Sequence, residues 1–153
     1  MALRLSTGFR NKILGTEAFR DIFANGVIYL YSGTQPGSAD SAVTGTLLAK
    51  VTVGGGTFNF GSPDNGLNFD APSGGEIQKA ADEIWRFVGE ANGTVGWGRL
   101  MGNTLDELGA SDTLARLDFS VGRTGADLNL SSTSITSSQT GTIDTFTYRI
   151  PGQ

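Results

Sequence analysis

At Asn25-Gly26-Val27-Ile28-Tyr29-Leu30-Tyr31 the chain changes its period. Before this stretch, apolar residues recur at helical spacing. Phe9, Ile13 and Leu14 follow Ser6 and Thr7, either of which can cap a helix, and Phe19, Ile22 and Phe23 follow Thr16. Asn25-Gly26 ends the second run, because both residues tolerate the left-handed conformation that a helix C-terminus often needs. From Val27 onward the pattern is that of strands. Residues 1–26 thus read as two short amphipathic helices broken near Gly15, a helical arm, and residues 27–153 as one β domain.

Working outward from Val27–Tyr31, Ser32 to Thr44 contains Gln35-Pro36-Gly37 and reads as a loop. Thr46 to Val53 places Leu47, Ala49, Val51 and Val53 on one face, and Gly54-Gly55-Gly56 turns the chain so that Thr57 to Phe60 returns as a hairpin. Gly61 to Gly75 is loop, anchored by Leu67 and Phe69. Around Trp85 both faces are partly apolar, which predicts a central strand. In the strand from Thr94 to Met101, Gly96 and Gly98 leave room for an aromatic ring to lie on the backbone. Leu114 to Val121 puts Ala115, Leu117, Phe119 and Val121 inward with Arg116 and Asp118 outward. Leu128 and Leu130 form a shorter strand, and Ile143 to Ile150 closes the chain with Phe146, Tyr148 and Ile150 on one face. The expected fold is all-β: an antiparallel, jelly-roll-like β-sandwich of about seven to nine strands behind a short N-terminal helical arm.

Composition supports that class. The 153 residues include 23 glycines and 4 prolines with no collagen-like period, a profile of short strands and many turns. A net charge of -4 with 11 basic residues speaks against a general nucleic-acid partner, which needs clustered cations. No run of apolar residues is long enough for a membrane span, and the opening residues are too polar for a signal peptide. The expected product is therefore soluble and intracellular.

Cysteine and histidine are both absent. Thiolate nucleophiles, disulfides, zinc-thiolate sites and Ser-His-Asp machinery are excluded with them. Carboxylate pairs remain, as Asp82 with Glu83 and Asp106 with Glu107, but neighbours on a strand point apart and suit no glycosidase geometry. Gly54–Gly56 lacks the following Lys-Ser/Thr of a phosphate cradle and reads as a turn. Asp64, Asn65, Asn68 and Asp70 bring calcium-type ligands into one loop without an EF-hand frame, so an Asx-turn loop is expected. No catalytic residue, cofactor or metal is expected. The Ser/Thr-rich run from Ser131 to Thr142 suits either a surface hairpin or an extended segment pairing with a neighbouring subunit's sheet edge.

Several segments together carry a family resemblance: Met1-Ala2-Leu3-Arg4-Leu5-Ser6-Thr7-Gly8, Asn25-Gly26-Val27, Tyr31-Ser32-Gly33-Thr34-Gln35-Pro36, Thr44-Gly45-Thr46-Leu47-Leu48, Asn65-Gly66-Leu67-Asn68-Phe69, Gly125-Ala126-Asp127-Leu128-Asn129-Leu130 and Ile143-Asp144. Along nearly its whole length the chain resembles small virion-associated structural proteins of tailed bacteriophages. The resemblance implies a non-enzymatic virion subunit, either a capsid decoration (cement) protein or a neck- or tail-associated one. Its implied partners are other capsid or tail proteins and further copies of itself in a homo-oligomer.

The basic N-terminus against an acidic remainder marks the expected contact. Leu3, Leu5, Phe9 and Ile13 with Arg4, Arg10 and Lys12 would dock on the partner, leaving the β domain to fold without them. The alternative is a receptor- or glycan-binding module of a tail fibre, with Trp85, Trp97, Tyr29 and Tyr31 exposed as a stacking platform beside the loops at 32–45 and 61–75.

Overall fold

A computed structural model describes residues 3–152. Met1 and Ala2, quoted above for the resemblance, lie outside them. In chain order the elements are β1 (Arg4–Leu5), α1 (Thr7–Leu14), α2 (Phe19–Ile22), β2 (Val27–Ser32), β3 (Leu47–Val53), β4 (Glu76–Gln78), β5 (Trp85–Gly89), β6 (Gly93–Met101), β7 (Arg116–Gly122), β8 (Leu128–Asn129), β9 (Ser134–Ile135), β10 (Thr140–Ile143) and β11 (Thr147–Arg149). Nine strands form one sheet in the order β1-β7-β6-β2-β3-β5-β10, with β8 beside β7 and β9 beside β6, and β4 pairs with β11 in a separate ribbon. The ladders are antiparallel except that of β7 with β8. The fold is all-β and sandwich-like, with two short helices.

The large sheet is strongly curled. Phe119 on β7 and Trp85 on β5 both touch Phe146, at 5.3 and 5.8 Å between ring centroids. Four strand spacings separate β7 from β5, which in a flat sheet would hold them about 19 Å apart. The concave face gathers Ile28, Leu30, Val51, Trp85, Leu100 and Phe119 into the main core. Alternation along β2 sends Val27, Tyr29 and Tyr31 to the opposite face, where they meet Trp97 and Met101 under Val43, Leu47, Phe58, Phe60 and Leu108. Both faces of the central strands are thus covered.

Of the expected arm, residues 3–26 pack against the β domain. Ser6 caps α1 by accepting a hydrogen bond from Phe9 N–H, and the same hydroxyl accepts from Arg116 N–H at 2.8 Å and donates to Leu114 C=O at 2.8 Å. Phe9, Phe19, Ile22 and Phe23 belong to the main core. A phenyl-rich helix face has more to gain from burial against the sheet than from water, at roughly 25 cal/mol per Å2.

Other expectations are corrected by long-range pairing. β3 pairs with β5, so Thr57 to Phe60 does not return as a hairpin strand; Phe58 and Phe60 lie over the second cluster instead. A register shift after Leu30 breaks the alternation of β3 and moves Leu47 away from Ala49 and Val51. Arg116 and Asp118, expected outward, have no exposed surface. The closing strand is interrupted after Ile143, which separates β10 from β11. Segment 131–142 pairs within its own chain, through β9 and β10. Gly98 does admit an aromatic, because a Cβ there would come within 2.6 Å of the Phe119 ring.

Candidate docking surface

The structure disperses the residues expected to dock. Phe9 is fully buried, ringed by Phe19 at 5.8 Å, Phe23 at 5.2 Å and Tyr148 at 6.3 Å. Its side chain cannot reach a partner while the chain is folded. Arg4 donates from Nη1 to Gly37 C=O at 2.7 Å, and Leu5 packs on the core. Arg10 donates to Thr7 Oγ1, and Lys12 pairs with Glu17 at 3.1 Å. Leu3 is partly exposed. Ile13 lines an apolar groove, while Lys12 borders a separate, smaller one with Asp106 and Thr113.

The Ile13 groove, of about 390 Å3, runs between the N-terminal helices and the β4–β11 ribbon. Its apolar walls include Ile13, Phe19, Pro72, Ile77, Tyr148 and Ile150. Tyr148 stacks on Phe19 with centroids 4.8 Å apart, and burial raises its phenol pKa. Ile150 is 60% exposed at the ribbon wall, and Leu14, the last residue of α1 and next to Ile13 in the chain, is 84% exposed. The ion pairs Lys12–Glu17 and Arg149–Glu76 lie nearby. The C-terminal wall is not legible locally, because Phe146, Tyr148 and Ile150 alternate as one face of a single strand, whereas the chain breaks between β10 and β11.

On the opposite face of the sheet the charges serve the fold. Arg4, Asp118 and Arg99 are register partners across β1, β7 and β6. Arg99 meets Asp118 through Nε and Nη2 at 2.6 and 2.8 Å, and Arg116 meets Asp106 through two bonds of 2.6 Å. All four side chains are buried. The arginines spend further donors on loop carbonyls: Arg116 on Ala39, Ser41 and Gly109, and Arg99 on Ser41. With Arg4 on Gly37, they fasten residues 33–46 to the sheet. Burial raises the Asp118 pKa despite its bonds from Arg99. Asp40, on the fastened loop, accepts from Thr7 N–H and Oγ1 at 2.7 Å each. Burial opposes its ionisation, yet those two bonds, with Arg10 and Arg116 nearby, hold its pKa below the usual carboxylate value.

The remaining candidates are engaged locally. Glu83 accepts from Asn68 N–H and from Trp85 Nε1–H, and Asp106 is held by Arg116. Asp64 accepts from Ser62, Asn65 donates to Thr57 C=O, and Asp70 accepts from Ala81 N–H, so the loop ligands diverge. Among the described residues no acidic cluster is arranged to hold a metal ion. Trp85 and Trp97 have no exposed surface, and Tyr29 and Tyr31 are buried, so these rings form no sugar platform. Among the described residues no helix is long and apolar enough to cross a membrane. No family model, curated protein or solved structure matches the chain.

Proposed function

We propose that the chain is a non-enzymatic structural subunit of a tailed-bacteriophage particle, a capsid decoration or neck- and tail-associated protein that holds neighbouring virion proteins. The observation that carries this reading is the apolar groove walled by Ile13, Phe19, Ile77, Tyr148 and Ile150, with the Ile150 side chain largely in water and exposed Leu14 next to Ile13 in the chain. Exposed apolar surface of this kind, rimmed by charge, marks a protein interface. The resemblance to virion-associated proteins supplies the class of partner. In place of a flexible arm, the docking group is a preformed surface, so binding orders few residues.

Particles of the phage that encodes the chain, purified by density gradient, test this. Wild-type protein is expected to band with them, and Ile150→Glu, at a largely exposed groove residue and therefore neutral for folding, to remain at the top of the gradient. A wild-type chain that never bands with particles contradicts the virion reading; an Ile150→Glu chain that bands fully contradicts the groove.

A further inference from the structure

The curled sheet leaves one seam unjoined. Its outer segments line a single groove of about 340 Å3, with Gln139–Thr142 on one side and Asn129–Ser132, which continues from β8, on the other. The chain between them does not close the seam, because β9 turns aside to pair with Gly93 and Thr94 of β6. Phe87 also lines this groove. Gly141 lies against its ring so closely that a Cβ there would sit 2.3 Å from it.

Hydrogen-bond alternation determines what β10 presents. Gly89 N–H donates to Gln139 C=O at 2.7 Å, and Gly141 and Ile143 are the register partners of Phe87 and Trp85. These residues direct their backbone groups at β5, so in an antiparallel ladder Thr140 and Thr142 direct theirs the other way, into the seam. Across the groove, Leu130 N–H bonds Gly122 C=O at 2.8 Å, which leaves Asn129, the residue before it, facing outward. Donor and acceptor pairs repeating every second residue, about 6.8 Å apart, match another extended backbone better than a sugar or a nucleotide.

We propose that this seam accepts an extended peptide strand from another polypeptide, which adds to the β10 edge and completes the sheet toward Asn129. The strand's inward residues are small, to fit over Phe87, and a basic residue suits the end where Asp144 lies. This site is separate from the apolar groove and does not rest on the virion reading.

The probe is a degenerate library of seven-residue peptides, Ser, Thr or Gly alternating with Val, Ile or Lys, passed over the immobilised full chain. Wild type and Thr142→Ala are expected to retain the same peptides with similar affinity. Thr142→Pro removes the outward N–H and is expected to bind about tenfold or more weakly. Bound peptide is expected to slow amide exchange at Thr140 and Thr142. The proline is tolerable at an edge position whose N–H the ladder does not use; if that variant does not fold, wild-type amide exchange decides alone. Retention of no peptide, equal binding by folded Thr142→Pro, or unchanged exchange at Thr140 and Thr142 in the bound state overturns the proposal.

Discussion

Arg99 and Asp118 stand opposite each other on β6 and β7 and are joined by two hydrogen bonds, with neither side chain reaching solvent. The pair lies on the face of the sheet away from the main core, beneath the loop at 33–46. Desolvation of two charges is costly, and their mutual attraction with the added bond to Ser41 C=O offsets that cost only while both partners are present.

Asp118→Asn is therefore expected to lower unfolding stability by about 3–5 kcal/mol, because it leaves the Arg99 charge buried without its counterion. Arg99→Met with Asp118→Leu should recover most of that loss. Urea unfolding of the three chains checks both expectations, and a double variant no more stable than Asp118→Asn would show that the pair does more than neutralise itself.

Asp40 makes stability pH-dependent in a known direction. Its folded-state pKa is lowered, so its contribution is present above the unfolded value and is lost as pH falls through the folded one. Asp40→Asn should lose about 1 kcal/mol at neutral pH, as for a lost helix-start contact, and should show a shallower acid limb. Thermal melts between neutral and acidic pH read this; parallel profiles for the two chains would contradict it.

Gly98 and Gly109 separate space from chemistry. A Cβ at Gly98 would sit 2.6 Å from the Phe119 ring, whereas one at Gly109 meets nothing within 4 Å. Gly98→Ala is expected to cost about 1–3 kcal/mol by overpacking and Gly109→Ala close to none, measured as paired denaturation midpoints.

The N-terminal segment is part of the folded unit. Phe9→Ala should cost about 3–5 kcal/mol, and deletion of residues 1–14, which also removes the Ser6 bonds to Arg116 and Leu114, should abolish the cooperative transition. Near-ultraviolet circular dichroism of the truncated chain would contradict this if it kept the wild-type spectrum.

Local signals made much of the architecture legible. The period change at Val27, the glycine turn at 54–56, the loops on either side of β3 and the cap at Ser6 all follow from chemistry within a few residues. What was not legible depends on partners distant in sequence. The Arg116 and Asp118 alternation reads as a solvated face, and only the loops at 33–46 and 102–115 folding over it turn it into a buried network. Phe9 and Ile13 read correctly as one helix face, but nothing local tells a face that binds the chain's own sheet from one that binds a neighbour. The groove joins Ile13 to Ile150 across nearly the whole chain, a juxtaposition set by the β4–β11 ribbon.

The virion role is tested most directly by gold-labelled antibody against the folded chain, applied to intact particles and viewed by electron microscopy. The account predicts label on particles, over the head for a decoration protein or at the neck or tail for an adaptor. Particles that carry no label, while the antibody finds the chain free in the lysate, would contradict it.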